Sequence, residues 1–405
     1  MTSPAPTPPT LADVVQARER IRDALTLTPL TFSQTLSEIT GARVFLKFEN
    51  LQFTGSFKGR GARNRLLNVQ KGRGVIAMSA GNHAQGVAHH ASLLGLSSTI
   101  VMPENTPFTK VARTRALGAT VELAGRDVME SAVRARELAV ERDLEFIHPF
   151  DDPAVVAGQG TLGLEMLEQR PSLDMIVASV GGGGMLSGIA LAASGHDRPV
   201  QLVGVQSERY PFMADHLHGS ASSAVAGSTV ADGIAVSQPG TIGRTVLAAQ
   251  HAEVLVVREA TIERAIAMLL EIEKTVVEGA GAAPLAACLE HPEFFAGREV
   301  GLVLSGGNID PRTLAVVTLR GLANQGRLNR VRVELDDLPG RLALVSKVIA
   351  EAAANVVQVD HDGLGSTGAR STVLDLRIDT LDAAHAAEVI DRLHAAGVRA
   401  ELMPW

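Results

Sequence analysis

The feature that most constrains this 405-residue chain is an alternation of two patterns. Short apolar runs at Val75–Met78, Ser98–Met102, Thr120–Leu123, Met175–Val180, Gln201–Val205, Glu253–Val257 and Glu299–Leu304 read as strands, with helical stretches between most of them. Strands of this kind need cover on both faces, so the alternation predicts an α/β fold built on a mostly parallel sheet. In such sheets ligands collect at the carboxyl ends of strands, where loops and helix N-termini converge. The unusual residues of this chain stand at those ends.

Ahead of the alternation, Leu11–Leu27 has apolar residues at helical spacing, Thr28-Pro29 ends that segment, and Val44–Phe48 reads as a short strand. Near Gly321–Asn329 the sequence turns polar and loses its period, which predicts a linker. Beyond it come a strand at Arg332–Leu335, a turn at Asp337-Leu338-Pro339-Gly340 and an amphipathic stretch from Leu342 to Ala353. Strands near Asn355–Asp360 and Ser371–Ile378, a helix Ala383–Ala396 and a strand Arg399–Met403 complete a βαββαβ order. The expected organisation is a tail over residues 1–10, a catalytic part over 11–325 and a small domain over 331–405.

A formal net charge of -7 without a Lys/Arg cluster offers no footprint for nucleic acid, so the expected partner is a small molecule. Cys288 is the only cysteine and sits in an Ala-rich stretch, which excludes an internal disulfide and a Cys-based zinc site and predicts a small buried residue. No window offers about 18 uncharged apolar residues, so no membrane span is expected. Met1–Thr10 is Pro/Ser/Thr-rich without the pattern of a signal peptide, and the expected location is cytoplasmic. Ser220–Gly227 is small and polar enough to be mobile.

Four strand ends carry candidate chemistry. The first, Glu49 to Ala62, contains Ser56-Phe57-Lys58 among small residues; a lysine just inside a helix faces the positive end of the dipole, which depresses its pKa, although a lone lysine also reads as a solvated surface residue. The second, Ser79-Ala80-Gly81-Asn82-His83, offers a hydroxyl, an amide, an imidazole and backbone N–H groups suited to a carboxylate; an ordinary turn with Ser or Asn as helix cap is the alternative. The third, Gly181-Gly182-Gly183-Gly184-Met185, leaves bare N–H groups to face a phosphate, and it lacks the patterns of ATP or NAD loops. The fourth, Ser305-Gly306-Gly307-Asn308, places a hydroxyl where it could meet a ring nitrogen, or it forms a plain tight turn.

In this order the four loops resemble the threonine dehydratase and serine racemase group of the fold type II pyridoxal-phosphate enzymes, whose relatives share the tryptophan synthase β-like fold with two open parallel-sheet subdomains. The resemblance covers approximately Leu11 to Gly321. It implies that Lys58 carries the cofactor aldehyde and is the catalytic base, that Phe57 lies against the cofactor ring, and that Asn82 bonds its phenolic oxygen. It further implies that Gly181–Met185 hold the phosphate, that Ser305 with Gly306 faces the pyridine nitrogen, and that Glu278 stands beside the cofactor edge, a surface helix cap being the competing role. Ser79, Ala80, Gly81, Asn82 and His83 would hold the carboxylate of threonine or serine. A neutral serine at the ring nitrogen favours elimination over transamination.

In the racemases of the group a second serine follows the first in the asparagine loop and protonates the opposite face of the α-carbon. Ala80 has no proton to give, which argues for a dehydratase over a serine racemase, with serine or 3-hydroxyaspartate dehydration as alternatives. The racemases' divalent-cation site is not expected, because the matching stretch is Gln206-Ser207-Glu208-Arg209-Tyr210-Pro211-Phe212; nor do His83, His89 and His90 read as a metal cluster. Val331–Trp405 resembles an ACT domain through Asp337-Leu338-Pro339-Gly340-Arg341-Leu342. It implies subunit pairing into a homodimer or homotetramer and an amino-acid effector such as isoleucine or valine, or an oligomerisation module without ligand. A reading of another class, a non-catalytic amino-acid sensor, is opposed by the retention of Lys58, Asn82 and Ser305.

Overall fold

The computed structural model describes residues 6–225, 227–362 and 370–405, so part of the expected tail and of the Ser220–Gly227 segment lies outside the described residues. Thr10, from that tail, caps the helix Leu11–Ile21: it accepts the Asp13 N–H, and the Asp13 carboxylate accepts the Thr10 N–H in return. Such a reciprocal cap satisfies two of the helix's orphan donors and is worth about 1 kcal/mol.

Strands β1 (Leu30–Phe32) and β2 (Arg43–Lys47) form an antiparallel pair at one edge of a large sheet. The chain then leaves that sheet to make β3 (Val75–Met78), β4 (Ser98–Met102), β5 (Thr120–Leu123) and β6 (Glu145–Phe146), a four-stranded parallel sheet in the order β5-β4-β3-β6. It returns with β7 (Met175–Ser179), β8 (Gln201–Ser207), β9 (Glu253–Val257) and β10 (Glu299–Val303), and the large sheet is ordered β1-β2-β10-β7-β8-β9. All its pairings beyond β1 are parallel. The two expected open parallel sheets are therefore present; β1 and β6 are too short, at three and two residues, to carry a readable period.

Each sheet has its own core. Leu162, Ile176, Ala178, Leu186 and Ile189 pack on the large one, while Val75, Ile100 and Met102 pack with Ala84 and Ala88 on the small one. The helix Lys58–Leu66 sends Ala62 and Leu66 into the small-sheet core. Its opposite side meets the helix Pro153–Gln169 nearly backbone to backbone: a Cβ on Gly158 would lie 2.7 Å from the Arg60 carbonyl oxygen, so only glycine allows this approach.

The chain divides into two compact units between Asp310 and Pro311. This corrects the expected linker at Gly321–Asn329: a helix runs through Pro311–Asn324 and groups with the C-terminal unit, and the polar stretch is its last turn leading directly into β11 (Leu328–Asp336). With β12 (Asn355–Asp362), β13 (Ser371–Asp379) and β14 (Arg399–Met403) this strand makes an antiparallel sheet in the order β12-β13-β11-β14. The helices Arg341–Glu351 and Ala383–Ala395 contribute Val345, Ile349, Val389 and Leu393 to its core, so the βαββαβ order is realised. Among the described residues no helix is long and apolar enough to cross a membrane.

Candidate active site

The four loops meet at one cavity of about 290 Å³, lined by Phe57, Lys58, Ser79 to His83, Gly181 to Met185, Glu278 and Ser305. Three of them meet because β2, β10 and β7 are consecutive parallel neighbours, so the loops that leave their carboxyl ends run side by side; the Ser79–His83 loop comes from the other sheet. The Phe57 N–H donates to the Ser305 carbonyl (3.0 Å), the Gly307 N–H donates to the Gly55 carbonyl (2.9 Å), and Ser56 and Gly306 form an isolated bridge. The start of the Lys58 helix is thus stitched to the end of β10.

Lys58 is the first residue of its helix, and its Nζ donates to the Pro149 carbonyl at 3.1 Å. Burial pushes its amine down to about 8, against the opposing pull of the Glu278 carboxylate. An amine so placed is partly neutral near physiological pH and so can act as nucleophile or base.

In the second loop the N-cap of the helix Asn82–Leu93 is Gly81, with no side chain capping it, so the alternative of a Ser- or Asn-capped turn is not what forms. The Ser79 hydroxyl instead accepts the Gly81 N–H at 3.1 Å. Asn82 is held at both ends: Nδ2 donates to Glu278 Oε1 at 2.6 Å, and Oδ1 accepts from Asn308 Nδ2 at 2.7 Å. His83 is buried, and burial with the nearby Lys58 charge pushes its imidazole down to about 3. The neutral ring places Nε2 3.0 Å from the Ile147 carbonyl, which can only accept, so the proton on Nε2 is committed there; the Ser79 N–H is likewise spent on the Val101 carbonyl and the Gly81 N–H on the Ser79 hydroxyl.

Gly183 caps the helix Gly184–Ala193 in the left-handed region, φ +94°, where a Cβ would also stand 2.8 Å from Gly243 Cα. The first N–H groups of a helix have no intrahelical acceptor and stand at its positive end, so a glycine-lined turn of this kind suits an anion.

Ser305 is buried with its hydroxyl 3.4 Å from that of Ser179, the last residue of β7. Gly306 does not line the cavity; its carbonyl accepts the Glu278 N–H at 3.0 Å, and a Cβ there would stand 2.5 Å from Glu278 Oε1. Gly306 thus sits against the Glu278 carboxylate and the Asn82 amide, where a side chain would displace both. Glu278 occupies the N-cap position of the helix Gly279–Glu290 but caps nothing with its side chain, and it is buried in the cavity wall. Burial and the Asp232 charge push its carboxyl up to about 7, against the Asn82 hydrogen bond.

Several wall residues carry no sequence signal of their own. Lys110 and Asp232 form an ion pair at 3.1 Å and both line the cavity, yet each reads as a solvated charge in the sequence. Pro149 and Phe150 follow the unreadable strand β6. Asn308 could have been found, since it closes the Ser-Gly-Gly-Asn motif; besides Asn82 it bonds the Thr54 carbonyl at 2.8 Å. In the stretch compared with the racemases' cation site, Gln206 donates to the Val180 carbonyl and accepts the Met213 and Ala214 N–H groups, while Glu208 accepts the Glu259 N–H. His89 stacks on Phe53 at 4.3 Å between ring centres and His90 meets His89 edge-on, whereas His83 turns to Ile147. Cys288 is fully buried, and burial raises its thiol pKa.

The family described as pyridoxal-phosphate dependent enzyme matches residues 21–306. The chain belongs to that family. The cavity fits pyridoxal phosphate on its own geometry: it is lined by a desolvated amine suited to the aldehyde, a glycine-lined helix N-terminus suited to the phosphate and a buried hydroxyl. The chain is 39% identical over 399 residues to the L-threonine ammonia-lyase of Thermotoga maritima, covering 97% of this chain and 99% of that one. It is 42% identical over 395 residues to the L-threonine ammonia-lyase of Geobacter sulfurreducens, with 96% and 98% covered. Among solved structures it resembles a T.th. threonine deaminase with a TM-score of 0.70 and 39% identity, over 75% of this chain and 99% of that one.

Proposed function

We propose that this pyridoxal-phosphate enzyme is a threonine ammonia-lyase that converts L-threonine to 2-oxobutanoate and ammonia, and L-serine to pyruvate in the same way. The observation that carries the reading is the meeting of the Lys58 amine, the Gly181–Met185 helix N-terminus and Ser305 in one cavity. The near full-length likeness to L-threonine ammonia-lyases supports the choice of substrate.

Pyridoxal phosphate, held by Lys58 and by the Gly181–Met185 turn, supplies the electron sink that makes the substrate α-proton removable. The Ser79–His83 loop binds the substrate carboxylate, and the Lys58 amine, freed when substrate arrives, takes the α-proton as general base. Ser305 would offer the cofactor ring a neutral hydroxyl in place of a charge, which would favour loss of the β-hydroxyl as water over transamination. Asn82, locked between Glu278 and Asn308, presents its amide in one orientation to the cofactor's edge. The α-proton and the β-hydroxyl leave; the resulting enamine takes up water to give the keto acid and ammonia. Ala80 lines the cavity without a proton to return to the α-carbon, which separates this reading from a serine racemase.

In the same reading residues 331–405 are an ACT-like domain that pairs subunits into a homodimer or homotetramer and takes an effector such as isoleucine or valine, as suits a cytoplasmic enzyme of isoleucine biosynthesis. The test is the purified protein with pyridoxal phosphate and a panel of threonine, serine and 3-hydroxyaspartate, with keto acid and enantiomer both read out. Formation of 2-oxobutanoate from threonine is expected; D-serine from L-serine without keto acid would overturn the reading. Titration with isoleucine and valine, followed by solution mass, tests the effector and the assembly.

A further inference from the structure

We propose that a buried ion network centred on Arg60 is a positioning device for the Lys58 amine. The inference rests on the reading that Lys58 carries the cofactor. Arg60 follows Lys58 by two residues, and at about 100° per residue the two side chains leave the helix on roughly opposite faces. Lys58 points into the cavity; Arg60 is 1% exposed and points away from it.

All five of its N–H donors are used. Nε and Nη2 donate to the two oxygens of Glu49 at 2.7 and 2.8 Å, Nη1 and Nη2 to the two oxygens of Glu165 at 2.6 and 2.8 Å, and Nη1 to the Thr161 hydroxyl at 3.1 Å. Lys47, also fully buried, spends its three donors on Glu165 (2.8 Å), the Thr28 carbonyl (2.7 Å) and Gln169 (3.0 Å). The two cations and two carboxylates balance. Burial alone would raise the Glu49 carboxyl, and the Arg60 charge with its hydrogen bonds overrides it and holds Glu49 below the usual carboxylate range.

What the network joins explains its use. Lys47 ends β2, Glu49 lies in the turn that follows it, and Thr161, Glu165 and Gln169 lie along the helix Pro153–Gln169. The Lys58 helix itself puts Ala62 and Leu66 into the core of the small sheet, whereas the phosphate seat and Ser305 follow strands of the large sheet. The Phe57 to Ser305 bond holds the first turn of the helix; the Arg60 fork fixes its rotation. Buried ion networks are poor stabilisers beside apolar packing, but a fork with two bidentate carboxylates admits one geometry where an apolar contact admits several. A shift of about 1 Å in a reacting group costs up to about a hundredfold in rate.

The test compares holoenzymes carrying Arg60→Lys, which keeps the charge and loses the fork, and Glu165→Gln, which removes one carboxylate. For each, folded fraction, kcat and KM for threonine, and the rate at which hydroxylamine strips the lysine-dependent absorbance band are measured. The expected result is a fall in kcat of about tenfold or more with KM changed less than about threefold, and faster stripping of the band, larger in Arg60→Lys than in Glu165→Gln. Wild-type kcat and stripping rate per folded molecule would overturn the proposal. If Arg60→Lys does not fold, Glu165→Gln decides by the same criteria. Absence of a band in the wild type, or its survival in Lys58→Ala, would instead defeat the reading of Lys58 on which the proposal stands.

Discussion

The two faces of the Lys58 helix handle charge in opposite ways. On the cavity face Lys58 bonds only a carbonyl, Glu278 only amides, and burial moves the amine down to about 8 and the carboxyl up to about 7. On the opposite face Arg60 meets two carboxylates with every donor used, and its guanidinium is pushed further toward the charged form despite its burial. Groups that must change protonation are kept short of counter-charge; groups that hold geometry are fully paired. Desolvation is common to both faces, so the partner decides whether a buried charge is reactive or inert.

The strongest way to break this contrast is to remove one residue from each face. Lys58→Ala is expected to abolish the visible absorbance band and lower threonine turnover by roughly a thousandfold or more, without lowering the melting temperature of the protein. A variant that keeps the band ends the assignment. Arg60→Met is expected to do the reverse in kind, costing about 3–5 kcal/mol of folding stability because two buried carboxylates lose their partner. Urea unfolding measures it, and a cost below about 1 kcal/mol would mean that the network is not the paired structure described.

Two further experiments sharpen the contrast through pH. His83 and His90 are buried and neutral, each pushed down to about 3, first by burial. Below about pH 6.5 the unfolded chain binds protons that the native imidazoles refuse, so stability falls as pH drops toward 3, by up to about 1.4 kcal/mol per unit for each ring. Denaturant titrations at successive pH values should show that slope, and His90→Gln should flatten it; a flat wild-type curve would contradict it. The smallest effect concerns the amine itself. Capture of pyridoxal phosphate by cofactor-free protein should speed up as pH rises through about 8, because the neutral amine is the nucleophile. The Glu278 carboxylate supports the protonated amine, so Glu278→Gln should move that midpoint down by about half a unit to one unit; an upward move would remove Glu278 from the field of Lys58.

Much of the site was legible because its loops are short and local. Ser-Ala-Gly-Asn-His and the four glycines each stand almost directly after a strand, Ser-Phe-Lys stands at the start of a helix a short loop beyond one, and the structure brings all three to the same cavity. Gly306 adjoins this group and does not line the cavity: it leaves room for the Glu278 carboxylate, a contact between residues far apart in sequence. The linker was misplaced, since Gly321–Asn329 is the end of a helix, a turn and the start of β11, and not a spacer. Lys110, Asp232 and the four residues of the Arg60 network have side chains that most often face water. Nothing in their immediate neighbours marks them otherwise.

The amino-acid sequence by itself determined the alternation that makes two parallel sheets, the order of the four loops, and Lys58 at the start of a helix, because all of these are set by residues within a turn or two of one another. Tertiary structure alone decided which charges are paired. Arg60 and Glu165 are 105 positions apart, and Asn82 and Glu278 are 196 apart. The protonation state of a buried group depends on neighbours at a few ångströms, whatever their distance along the chain. The same cationic side chain that would be a solvated surface group in an open helix is therefore a reactive amine at position 58 and a fixed guanidinium two residues later.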